Sequence, residues 1–130
     1  MKKILFVCTE NACRSQMAEA FARMHGRGLL EVYSAGSHPS GEVNKKALSS
    51  MMERGYDLAA HRSKSLHDVP DFEYDCAVTM GCGDACPAVR AKERRDWAVP
   101  DPKNMSMHDF NHVRDSIEKR VVALLEEITL

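Results

Sequence analysis

The chain has 130 residues, 44% of them hydrophobic, which suits one domain built on one core across residues 1–130. Its 18 basic and 19 acidic residues leave a net charge of −1, excluding the kind of field that recruits nucleic acid or an anionic membrane. No apolar stretch approaches the ~20 residues of a transmembrane helix, and Met1-Lys2-Lys3 leads into a short strand rather than a signal peptide, so a cytoplasmic protein is expected, with monomer as the default.

In chain order, Lys3 to Val7 is predicted as the first strand, and Ser15 to about His25 as a helix with Met17, Ala18, Phe21 and Ala22 on an apolar stripe. Gly26 and Gly28 end that helix, and Leu30 to Ser34 forms a second strand. A turn-rich loop, Ser37 to Gly41, precedes a second helix from Val43 to Arg54 that stops at Gly55. Asp75 to Met80 is a third, almost wholly apolar strand, as expected for a position buried on both faces of a parallel sheet. Residues 83 to 100 read mostly as loop, with a short fourth strand near Trp97 to Val99. Ser106 and Asp109 form a capping box for a last helix carrying Phe110, Val113, Ile117, Val121, Leu124 and Ile128 at helical spacing. Such alternation implies a parallel sheet wrapped by helices, with the ligand loop at the carboxyl ends of the strands.

That loop is legible at Cys8-Thr9-Glu10-Asn11-Ala12-Cys13-Arg14-Ser15. The first strand delivers Cys8 to the sheet edge, and the following helix aims its unpaired N–H groups back at the same spot. The residues between Cys8 and Arg14 suffice to curl the backbone around one tetrahedral anion with successive amides pointing inward. Arg14 closes the cradle, because its planar fork can hold two oxygens at once. The same positive environment favours the Cys8 thiolate as a nucleophile, and Ser15 can cap the helix or donate to the sulfur. A chain of this composition carries such a pattern by chance roughly 0.04 times, which weighs against the competing reading of Cys8 as a buried structural cysteine.

A second cluster, Gly81-Cys82-Gly83-Asp84-Ala85-Cys86-Pro87, follows the third strand and should face the same sheet edge as Cys8. The 5 cysteines read as reactive thiols rather than as a disulfide scaffold. Cys82 and Cys86 are close enough in sequence to close a small, labile disulfide, and the glycines would let the loop flex. A zinc set made of this pair with His108 and His112 is the rival reading, disfavoured by the long interval between them. Cys76 reads as core packing, Trp97 as a packing anchor, and His38, His61 and His67 as surface or turn residues.

Val7 through Glu19, Tyr33-Ser34-Ala35-Gly36, Val78 through Pro87, and Asp96-Trp97 through Asp101-Pro102 together resemble the low-molecular-weight protein tyrosine phosphatase superfamily, and within it the thiol-coupled arsenate reductases. The resemblance implies an α/β fold, a four-stranded parallel sheet flanked by helices on both faces in a flavodoxin-like three-layer sandwich. It implies that Cys8 attacks arsenate, that Cys82 attacks the Cys8 arsenic adduct to release arsenite, and that Cys86 resolves the Cys8–Cys82 bond. A Cys82–Cys86 disulfide is then left for thioredoxin. Because family members usually space the two downstream cysteines further apart, the alternative is that a small thiol with glutaredoxin replaces Cys86 in resolution. Thr9, Glu10, Asn11, Ala12, Cys13 and Arg14 would bind the oxyanion, or phosphate or sulfate as its analogue, and Asp101 would be the general acid. Asn11, Glu19 and Ser34 match a potassium site of some members, but Lys64 stands where its aspartate should lie, so an ammonium would replace the metal. No cofactor or metal is implied. Phosphatases of this type carry aromatic residues after the Asp-Pro pair, whereas Lys103-Asn104-Met105 follows here, which favours the reductase. The alternatives are a phosphomonoester hydrolase using Cys8, Arg14 and Asp101, and an inactive anion-binding regulator.

Overall fold

Ile4, Leu5, Phe6 and Val7 are wholly buried, because the strand they form, β1 (Lys2–Cys8), lies inside the sheet rather than at its edge. The computed structural model describes residues 1–81 and 89–128. Beside β1 run β2 (Leu30–Gly36), β3 (Tyr74–Thr79) and β4 (Ala91–Asp96), in the order β2-β1-β3-β4 and all parallel. Val7 pairs with both Ala35 and Thr79, and Cys8 with Gly36, so the carboxyl ends of β1, β2 and β3 meet at one edge.

Strands turn alternate side chains to opposite faces, and β1 feeds two cores in this way. Ile4 and Phe6 join Met17 and Phe21 of α1 (Arg14–Gly26), Met51 of α2 (Lys45–Glu53) and Ile117 and Leu124 of α3 (Met107–Ile128). Leu5 and Val7 join Ala35 and Tyr74 under Leu66, Val69 and Phe72, which belong to the 3-10 turn Leu66–Asp68 and the chain after it. The helices thus share one face, and a short helical turn covers the other. Burying Phe6 or Phe21 stabilises the fold by about 1.5–3 kcal/mol each. Among the described residues no helix is long and apolar enough to cross a membrane.

The fourth strand corrects the sequence expectation. It lies at Ala91–Asp96, not near Trp97 to Val99. Lys92, Glu93 and Arg94 are exposed on this edge strand, so the apolar pattern that marks inner strands is missing. Trp97 and Val99 are buried just beyond it, and Trp97 packs on Phe6 at 6.0 Å, as an anchor should. Helix α2 is shorter than its apolar pattern suggested, because Asn44 caps it by accepting the Lys46 N–H at 2.8 Å. In α3 the Ser106 hydroxyl oxygen accepts the Asp109 N–H at 3.2 Å.

Candidate active site

Every backbone carbonyl of the segment from Cys8 to Cys13 accepts a hydrogen bond. The Cys8 oxygen accepts the Ser37 N–H, that of Thr9 the His38 N–H, and that of Glu10 both the Ser40 N–H and the Ser63 hydroxyl. Asn11 O accepts Gln16 Nε2, Ala12 O the Asn44 N–H, and Cys13 O the Met17 N–H. A trans peptide points its N–H away from its carbonyl, so engaging every carbonyl outward turns the amides of residues 9 to 14 toward the concave side. The Ser37 to Gly41 loop supplies three of these donors and is the outer wall of the cradle.

Close approach is possible because Gly36 has no side chain. A Cβ there would lie 2.6 Å from Thr9 O and 2.9 Å from Asn11 N, both backbone atoms that cannot move aside cheaply. Asn11, at the turn of the loop, has φ +52°, a left-handed conformation asparagine tolerates better than most residues.

Under the loop a connected polar network is buried. Asn11 Nδ2 donates to Ser15 Oγ at 2.7 Å and Ser34 Oγ at 3.0 Å. Since Ser15 Oγ already accepts there, its proton is free for Cys8 Sγ at 2.9 Å. Ser34 donates to Glu19 Oε1 at 2.5 Å, and Lys64 Nζ reaches Ser34 Oγ at 3.2 Å and Glu19 Oε1 at 3.7 Å. The three residues matched to a cation site and the mismatched Lys64 are thus brought together, with the ammonium beside Glu19. Burial lowers the Lys64 pKa, and the Glu19 carboxylate opposes that shift.

Gln16, given no role by the sequence, and His61 extend the network. Gln16 Nε2 donates to Asn11 Oδ1 at 2.9 Å and Arg62 O at 2.8 Å, while Gln16 Oε1 accepts His61 Nδ1 at 2.9 Å. An amide oxygen can only accept, so His61 carries its proton on Nδ1 and Nε2 accepts the Tyr56 hydroxyl at 2.7 Å. His61 is thus in a turn, as expected, but its side chain is mostly covered rather than free on the surface, and burial pushes its pKa below 6.5. It lies in a turn with no periodic pattern to mark it.

The cleft above the network has a volume of about 20 Å³ and is lined by Cys8, Glu10, Ala12, Cys13, Arg14, Asn44, Asp101 and Lys103. At its base Arg14 is 5% exposed, with Nη1 donating to Val99 O at 3.2 Å and Nη2 3.9 Å from Asp101 Oδ2. Gly81 makes room for that guanidinium: its φ is +73° and a Cβ would meet Arg14 Nη1 at 2.4 Å. Its role here is steric as well as conformational. Asp101 stands at the rim, its Oδ1 accepting the Lys103 N–H at 3.2 Å. Burial, followed by nearby Asp101, pushes the Cys13 thiol to about 12, and burial pushes Cys76 to about 11, so both stay protonated at neutral pH. Cys82 and Cys86 lie outside the described residues. Among the described residues no cluster of three side chains could hold a metal, and His108 and His112 lie 3.4 Å apart on an exposed stretch of α3.

A buried thiol between a parallel strand and a helix, beside a loop whose carbonyls are all engaged and a buried arginine, is the arrangement at this sheet edge. The chain belongs to the low molecular weight phosphotyrosine protein phosphatase family, matching it over residues 3–130. Its relatives include the glutaredoxin arsenate reductase of Synechocystis sp., 36% identical over 99% of this chain and 100% of that protein. An arsenate reductase of Halalkalibacterium halodurans is 38% identical over 96% of each chain. A solved arsenate reductase in its phosphate-binding state superposes with a TM-score of 0.89 at 37% identity, covering 98% of this chain and 99% of that one.

Proposed function

We propose that this chain reduces arsenate to arsenite through Cys8, using a thiol relay and an external thiol reductant. The observation that carries the reading is the outward anchoring of every carbonyl from Cys8 to Cys13, which leaves an amide cradle for a tetrahedral oxyanion over the nucleophile. The Cys8 thiolate forms a bond to arsenic while one oxygen leaves as water, protonated by Asp101. Cys82 then attacks the Cys8 sulfur: the sulfur–arsenic bond breaks, its electron pair stays on arsenic, and arsenite departs. Cys86 displaces Cys8 from Cys82, freeing the Cys8 thiolate and leaving a Cys82–Cys86 disulfide, which an external dithiol reduces. Relatives named for glutaredoxin and for thioredoxin support a reductant of this kind, including a thioredoxin-dependent arsenate reductase of Corynebacterium glutamicum with a TM-score of 0.81 and 30% identity, 62% of whose chain is covered by 99% of this one. Lys64 takes the place of a cation beside Glu19, and the reading fits a cytoplasmic, reducing compartment.

A phosphomonoester hydrolase using Cys8, Arg14 and Asp101 is the second reading, favoured by the same cradle and the family it belongs to. Single-turnover chemistry separates them. Reduced protein mixed with arsenate should lose two thiols per arsenite released, and Cys82→Ser should trap the Cys8 adduct and stop turnover. Aryl phosphate hydrolysis without any thiol loss on arsenate would overturn the reductase reading. Cys8→Ser should abolish both activities.

A further inference from the structure

Glu10 and Lys103 belong to different loops, yet both line the cleft. Lys103 Nζ lies 3.0 Å from Glu10 Oε1 and 3.1 Å from Oε2. Their side chains are 30% and 44% exposed, against 6% for Arg14 at the base, so the pair lies at the mouth. The Asp101 loop is fastened from behind as well, since Lys46 Nζ donates to Lys103 O at 3.3 Å and Met105 O at 2.6 Å. Lys103 is thus one residue from the Pro102 that follows Asp101, anchored on one side and bridged to the cradle on the other. Glu10, Asp101 and Cys13 are the acidic groups that face its ammonium, and Glu10 dominates in raising its pKa.

We propose that the Glu10–Lys103 bridge is a strap across the mouth of the Cys8 cleft that selects a free tetrahedral oxyanion over an oxyanion ester. The proposal rests on the oxyanion reading above and deepens it. A bare oxyanion needs only the cradle and Arg14, and carries no group that must stay in the mouth. An aryl or alkyl ester must project its organic group outward through the mouth, so the bridge has to open before it can bind. Where an ester-binding site would present an aromatic wall, this chain presents a lysine paired with a carboxylate. An exposed ion pair holds its closed form by up to ~1 kcal/mol, so the strap discriminates by up to about fivefold.

Calorimetric titration with inorganic phosphate and with phenylphosphonate, a non-hydrolysable ester-like probe, measures this directly. The wild type should bind phosphate more tightly than phenylphosphonate, and Lys103→Ala and Glu10→Ala should each shrink that ratio about fivefold. The charge-reversed double variant E10K/K103E should restore it, which loss of bulk alone would not. Raising the salt concentration should shrink the ratio in the wild type and leave Lys103→Ala unchanged. A ratio that is the same in wild type, Lys103→Ala and Glu10→Ala overturns the strap while leaving the oxyanion cradle standing. Absence of phosphate binding in every form overturns the cradle and the strap together.

Discussion

The floor and the rim of the cleft are built on opposite principles. Asn11, Ser15, Gln16, Glu19 and Ser34 are at most 4% exposed, and each is held by named hydrogen bonds to the others. At the rim, Glu10, Asp101 and Lys103 are 30–44% exposed and meet through one ion pair, Glu10 with Lys103, and one backbone contact, the Lys103 N–H with Asp101. A buried, fully satisfied network holds one geometry because any departure leaves a polar group unpaired in a low dielectric. Exposed ion pairs exchange with water at little cost. The floor therefore fixes where charge develops in the reaction, and the rim is left free to adjust to what enters. Changes to the floor should cost geometry or stability, and changes to the rim should alter selectivity by small factors.

The largest effect should come from Gly36→Ala, which drives a methyl into the backbone of the cradle at 2.6 Å from Thr9 O. Displacing reacting groups by about 1 Å costs on the order of 100-fold in rate. Arsenate turnover and phosphate affinity should both collapse, while circular dichroism reports a folded protein. Retention of phosphate affinity would mean that the cradle tolerates a looser fit than its contacts suggest.

Next in size is Lys64→Ala, which leaves the Glu19 carboxylate buried with Arg23 as its remaining cation at 2.8 Å. Losing a charged partner in such a site costs roughly 1–3 kcal/mol, a fall of several degrees in melting temperature. If the ammonium replaces a metal ion, wild-type melting should not change when potassium is exchanged for sodium. The variant should recover stability in potassium and less in sodium. A potassium-specific rise in the wild type would break the idea that Lys64 fills that place.

The same contrast explains how much could be read from sequence. Apolar β1, the spacing from Cys8 to Arg14 and the helical stripe of α3 are local signals, each set by a repeating geometry along the chain, and they appear where expected. The placing of Lys64 beside Glu19 came from resemblance, since nothing local to a lysine in a turn points to a carboxylate on α1. What remained hidden depends on contacts between distant segments. His61 looks like a surface turn residue until Gln16 and Tyr56 close around it, and Gly81 looks like a hinge until Arg14 is placed against it. Charged β4 hid for another reason: edge strands carry polar residues because their outer side meets water, which erases the pattern used to find them.

His61 offers the smallest and most diagnostic test of the floor. Its ring is neutral in the folded protein, donating from Nδ1 to Gln16 and accepting at Nε2 from Tyr56, with Glu19, Arg23 and Lys64 as the charged groups facing it. Burial lowers its pKa from the ordinary 6.5, outweighing the opposing pull of Glu19. The sign of the resulting pH dependence follows from proton uptake. Well above pH 6.5 neither the folded nor the unfolded chain holds a proton on this ring, so its contribution to stability is complete. As pH falls below that value the unfolded chain takes up the proton first, and stability drains away until the folded ring also titrates. Urea midpoints measured across this range for wild type and His61→Gln should diverge, the wild type losing stability faster as the solution is acidified. The loss should be smaller than that of Lys64→Ala, because a protonated His61 still has Glu19 at 3.8 Å to meet it. Parallel curves would show that His61 titrates alike in both states, and the floor would then end at Gln16.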